Sequence, residues 1–137
     1  MNNSTFKKWL SRSLVMFLFT LSLTTTLAQD QKIKTVSVDE LEKIQETGSQ
    51  NVILDVRTPP EIAEGYIEGS IFSDFLGDSF LDEIKKLDKS KTYFVVCKAG
   101  VRASKATLQM QDLGFPNVFV LEGGMDSWLK NGKPIIK

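Results

Sequence analysis

From Lys34 onward, strand signals and helix signals alternate along the chain. Val52-Ile53-Leu54-Asp55-Val56, Thr92-Tyr93-Phe94-Val95-Val96 and Val118-Phe119-Val120-Leu121 are short apolar runs rich in β-branched and aromatic residues, and Gly69-Ser70-Ile71-Phe72 reads as a smaller strand. Between them, apolar residues recur at helical spacing: Val38, Leu41 and Ile44; Phe80, Leu81, Ile84 and Leu87; Ala103, Ala106, Met110 and Leu113. A run without polar alternation suits a strand buried on both faces, and a helix between two strands lets them lie parallel. The pattern therefore predicts an α/β domain, a parallel sheet covered by helices on both faces.

Local punctuation supports these boundaries. Ser37-Val38-Asp39-Glu40 and Thr58-Pro59-Pro60-Glu61 have the spacing of capping boxes, the second with Pro59 at the first helical position. Gly48, Gly65 and Gly114 stand where the helices should stop. The helix around Phe80 is expected over Asp78 to Leu87, and the next over Ala103 to Leu113. Gly123-Gly124 should turn into a last short helix carrying Met125, Trp128 and Leu129.

The segment before Lys34 has a different character. Lys7, Lys8 and Arg12 precede the apolar run Leu14 to Leu23, and Thr26-Leu27-Ala28 has a small-x-small pattern. That is the layout of a secretory signal peptide over residues 1–28, and the apolar run is too short for a comfortable membrane span. The expectation is an exported domain over residues 29–137, periplasmic in a bacterium, meeting a membrane only if the segment stays attached. The chain has 17 basic and 17 acidic residues; losing Lys7, Lys8 and Arg12 leaves the domain mildly acidic. It lacks the basic patch that a nucleic-acid partner requires.

Cys97 is the one cysteine, and the chain has no histidine. No internal disulfide can form, and metal sites built from Cys and His are excluded, as is any Cys–His or Ser–His catalytic pair. A lone cysteine can be packing filler, but this one follows a strand and precedes a helix. There, backbone N–H groups and the helix dipole favour a thiolate. Parallel sheets bind ligands beyond the carboxyl ends of their strands, which is where Cys97 falls. Lys98 and Arg102 flank it, so an anionic substrate between them would offset the cost of placing cations at a helix start. Gly100 can supply a backbone conformation that closes the loop around sulfur. Asp55 and Arg57 are expected to be structural groups near the site, because an acid at the end of an apolar strand needs a partner. Trp128 and Phe115 read as core.

Five separated motifs then resemble the rhodanese family across about residues 34–135. They are Leu54-Asp55-Val56-Arg57-Thr58-Pro59-Pro60-Glu61; Glu64-Gly65-Tyr66-Ile67-Glu68-Gly69-Ser70; Cys97-Lys98-Ala99-Gly100-Val101-Arg102; Leu113-Gly114-Phe115-Pro116-Asn117-Val118; and Leu121-Glu122-Gly123-Gly124 with Trp128 and Gly132-Lys133-Pro134. The resemblance implies a doubly wound, five-stranded parallel sheet and sulfane-sulfur transfer through a persulfide on Cys97. It also implies a pocket lined by the amides of Lys98, Ala99, Gly100, Val101 and Arg102. The donor would be a small anion such as thiosulfate and the acceptor a thiol or a cyanide-like thiophile, with no cofactor and no metal. The alternative is a persulfide carrier or binding module serving a protein partner. Tyr66 stands where the family usually has histidine, and Ala103 where serine is common. A cysteine-dependent phosphatase would need five residues between cysteine and arginine; four separate Cys97 from Arg102.

Overall fold

A computed structural model describes residues 32–48 and 50–137. The expected signal segment lies outside the described residues. Five strands form one all-parallel sheet: β1 (Lys34–Val36), β2 (Asn51–Asp55), β3 (Ser70–Phe72), β4 (Thr92–Val96) and β5 (Val118–Leu121), in the order β1-β5-β4-β2-β3. Five helices alternate with them among the described residues: α1 (Val38–Gln45), α2 (Pro59–Ala63), α3 (Phe80–Ile84), α4 (Val101–Asp112) and α5 (Gly124–Lys130).

The period-two geometry of the strands divides the core into two layers. Tyr93, Val95 and Cys97 face one side with Leu54, Val118 and Val120, under Phe80 and Ile84 of α3 and Ala103, Ala106 and Met110 of α4. Phe94 and Val96 face the other with Val36, Ile53 and Leu121, under Val38 and Leu41 of α1 and Met125 and Trp128 of α5. The α/β, doubly wound architecture expected from the sequence is thus present. Trp128 is almost fully buried and its indole N–H donates to the Pro134 carbonyl at 2.9 Å, so the ring adds packing without an orphaned donor.

Both capping boxes form. Glu40 accepts from the Ser37 N–H at 2.9 Å, and Glu61 accepts from the Thr58 N–H at 3.1 Å and the Thr58 hydroxyl at 2.8 Å. Three local expectations change. β1, three residues long, carries too short an apolar signal to be read alone; pairing with β5 makes it a strand. α3 covers only Phe80–Ile84, and Leu81 and Leu129 point outward, because their helices are short and bury a narrow stripe. α4 begins at Val101, two residues early, because Gly100 takes the N-cap place with φ +101°.

Candidate active site around Cys97

β4 ends at Val96, which is paired in register with Asp55 at the end of β2. The next residue, Cys97, keeps the alternation of Tyr93 and Val95 and so turns its side chain toward α4. The first turn of that helix has no side-chain cap and no acidic residue. Its N–H groups need acceptors, and the cysteine sulfur supplies one. Gly100 N–H donates to Cys97 Sγ at 3.1 Å and Ala103 N–H at 3.4 Å. Two backbone dipoles therefore converge on one sulfur, an arrangement that stabilises negative charge there. Cys97 is a free cysteine, 1% exposed. A shallow pocket of about 370 Å³, lined in part by Ala99, Gly100, Val101 and Gly123, adjoins the loop.

The loop is braced from behind by α5. Met125 N–H donates to the Cys97 carbonyl and Asp126 N–H to the Lys98 carbonyl, each at 2.9 Å. Gly124 lies against the same two carbonyls, and a Cβ there would overlap them. The sequence contained the Gly123-Gly124 pair, but as a turn; its part in shaping the cysteine loop depends on a contact between segments 26 residues apart, which no local signal reports.

Asp55 and Arg57 lie beside the loop, both buried. The Arg57 backbone N–H, Nε and Nη2 all donate to the Asp55 carboxylate, Nη2 at 2.7 Å. The guanidinium also donates to the carbonyls of Glu61 at 3.2 Å and Gly65 at 2.8 Å. Arg57 thus ties the end of β2 to the middle of α2 and to the residue past its C-terminal cap, and anchors the backbone of Glu61. Tyr66 packs edge-on against Phe72 at 5.0 Å, and its backbone pairs with Ile136.

Glu61, whose spacing from Thr58 marks it as a cap, has a second partner across the site. Its carboxylate receives both outer nitrogens of Arg102, at 2.7 and 2.6 Å, as a bidentate pair. Lys98 is exposed, so the two cations flanking Cys97 have unlike surroundings. The Arg102 guanidinium, with help from Thr58, holds the Glu61 carboxyl down to about 2 from its ordinary 4.5. Unfolding returns it to the ordinary value, so the pair's stabilisation is complete above about pH 4.5 and is lost as pH falls toward 2. Partial exposure of both side chains limits that contribution to about 1–3 kcal/mol. Urea unfolding of wild type and Glu61→Gln at pH 7 and pH 3 should show a stability gap that narrows in acid. A gap independent of pH would assign the stability elsewhere.

Among the described residues, no group of three or more His, Cys, Asp or Glu side chains could hold a metal ion, and no helix is long and apolar enough to cross a membrane.

A parallel α/β sheet with a lone cysteine at the end of its middle strand, capped by backbone amides, defines a class of thiol-centred α/β domains. The chain belongs to the rhodanese-like family: the Rhodanese-like domain model matches residues 37–131. Putative sulfurtransferase YtwF of Bacillus subtilis is 33% identical over 103 residues, spanning 75% of this chain and 97% of that protein. Thiosulfate sulfurtransferase 16, chloroplastic, of Arabidopsis thaliana is 33% identical over 91 residues, 59% of this chain and 76% of that one. The crystal structure of a rhodanese-related protein from Thermoplasma volcanium superposes with a TM-score of 0.68 at 29% identity, covering 75% of this chain and 97% of that chain. The protein is thus related to sulfurtransferases, and its family handles sulfur donors and acceptors.

The comparisons correct the expected location. Relatives include a tRNA uridine(34) hydroxylase of Pelagibacter ubique, 35% identical over 83 residues, and the probable adenylyltransferase/sulfurtransferase MoeZ of Mycobacterium tuberculosis, 29% identical over 110 residues. The match spans only 28% and 27% of those longer proteins. Their names tie them to tRNA and to adenylyl transfer. This argues against the exported, periplasmic placement. An apolar N-terminal run is a compositional signal and does not by itself establish export.

Proposed function

We propose that this protein is a single-domain sulfurtransferase in which Cys97 carries sulfane sulfur as a persulfide. The observation that supports it most is the pair of N–H groups, from Gly100 and Ala103, directed at the only cysteine sulfur. In the loading step the Cys97 thiolate attacks the outer sulfur of the donor. A new S–S bond forms and the donor's S–S bond breaks. The electron pair leaves on sulfite when the donor is thiosulfate, or on a thiolate when it is a persulfide. In the second step a thiol or cyanide attacks the outer sulfur and Cys97 thiolate is regenerated. Neither step needs a general base once the thiolate is present, which fits a chain without histidine. The loop amides of residues 98–102 are read as lining the persulfide pocket. Burial of Cys97 favours an outer sulfur that extends beyond the thiol toward the acceptor.

A second reading, a carrier that receives sulfur from a protein partner, is favoured by one observation: Glu61 already occupies the Arg102 guanidinium. Intact-mass analysis after incubation with thiosulfate tests the first reading. The expected result is a gain of one sulfur atom, removed by cyanide and absent in Cys97→Ser at unchanged thermal stability. Sulfur retained by Cys97→Ser would refute Cys97 as the carrier. The same spectrum reports whether residues 1–28 remain attached to residues 29–137.

A further inference from the structure

The sulfur chemistry uses one end of the sheet only. Between α1 and the sheet lies a cavity of about 600 Å³, lined by Val36, Ile44, Phe94 and Phe119 together with Thr92 and Asn117. Small-molecule sites typically enclose about 300–1,000 Å³ and combine an apolar lining with a few polar groups. Thr92 opens β4 and Asn117 precedes β5, so the cavity lies at the amino ends of these strands. Cys97 follows the carboxyl end of β4, roughly 16 Å away along the strand. The helices leave this corner of the face open. α1 has eight residues and buries Val38 and Leu41, whereas Ile44 near its end is only half-buried. α5, on the same face, contributes no lining residue. A smaller cavity of about 130 Å³ shares Ile44 and Phe94 with the first, so Ile44 borders two cavities. Phe94 and Phe119 are partners across β4 and β5, and their rings stack at 5.5 Å.

Charge decides what such a surface accepts. Lys34 Nζ lies 5.5 Å from the centre of the Phe119 ring, and Lys43 lines the cavity from α1. Among the described residues neither lysine forms an ion pair. The carboxylate in the lining, Glu40, is directed to the start of its own helix, where one oxygen accepts from the Ser37 N–H at 2.9 Å and the Ser37 hydroxyl at 2.7 Å. We propose that this cavity is a second binding site, separate from Cys97, for a small aromatic carboxylate. The ring lies against Ile44 and the Phe94–Phe119 pair, where aromatic contacts add to the burial of apolar area, and the carboxylate faces Lys34 and Lys43. The inference is independent of the sulfur-transfer reading, because no residue of the cysteine loop lines the cavity.

The test titrates 2-naphthoate into the full, isotope-labelled chain and follows backbone amide resonances, with 2-naphthylmethanol as the uncharged counterpart. Saturable shifts should centre on Val36, Ile44, Phe94 and Phe119 and spare residues 97–103. The carboxylate should bind at least about threefold tighter than the alcohol, the size of one exposed ionic contact. Lys34 and Lys43 are exposed, so reversing either charge leaves the core intact. Lys34→Glu and Lys43→Glu should each weaken 2-naphthoate by about threefold to tenfold and change 2-naphthylmethanol by less than about twofold. Lys43→Arg, which keeps the charge, should retain binding. Absence of saturation up to about 1 mM, or shifts centred elsewhere, overturns the site. Equal affinity for the two compounds, or lysine variants without effect, overturns the carboxylate as its ligand.

Discussion

Gly124→Ala should destabilise the domain by about 3 kcal/mol or more and abolish sulfur loading at Cys97. Two costs combine. Gly124 has φ +58°, a left-handed conformation that charges a Cβ-bearing residue about 1–2 kcal/mol. The added Cβ would also overlap the Cys97 carbonyl and come within 2.7 Å of the Lys98 carbonyl oxygen. These are backbone atoms, so no rotamer change relieves the clash, and overpacking of this kind costs about 1–3 kcal/mol. Relief requires α5 to withdraw from the loop, which breaks the Met125 and Asp126 N–H bonds to those carbonyls. Gly100→Ala is the control. Nothing lies within 4 Å of a Cβ at Gly100, so only the strain of φ +101° remains and the loss should be smaller. Chemical denaturation and intact-mass loading of both variants decide the matter. Equal losses would mean that backbone conformation, and not the contact with α5, governs the loop.

Arg57→Met should cost about 3–5 kcal/mol, because it leaves the Asp55 carboxylate buried without its counter-ion. That is a large share of the 5–15 kcal/mol by which domains are typically stable, so a substantial unfolded population is expected. The carboxylate is 1% exposed and takes three donors from Arg57 alone. The loss also frees the carbonyls of Glu61 and Gly65, loosening the turn that presents Glu61 to Arg102. Pairing it with Asp55→Leu should recover part of the stability, since the stranded charge is gone, but should not restore the position of Glu61. If the double variant were no more stable than Arg57→Met, the penalty would lie in the lost carbonyl contacts and not in the buried charge. The two predictions probe the loop from opposite sides, α5 behind it and the β2–α2 turn beside it.

Most of the fold was legible because its cues are local. The runs Val52–Val56 and Thr92–Val96 mark central strands through continuous β-branched and aromatic residues, and the Ser37–Glu40 and Thr58–Glu61 spacings mark helix starts that form as read. β1 was not legible: three residues alternate too briefly to signal a strand, and only pairing with β5 defines it. At the site, Cys97 stood out by position and by the absence of histidine. Glu61 did not, because its capping role fully accounts for it within four residues of Thr58, while its second partner lies 41 residues away.

By itself, then, the sequence determined the α/β architecture, a single cysteine at a strand end, and the absence of histidine and of any internal disulfide. Those follow from residue types and short spacings, which chain geometry translates directly. Tertiary structure alone decided which face Cys97 joins, that Gly100 and Ala103 supply its amide donors, and that Gly124 holds the loop from behind. It also decided that Arg102 pairs with Glu61. The physical reason is range: dihedral preference and periodicity act over a few residues, whereas charge pairing and close backbone approach depend on which distant segments the sheet order brings together.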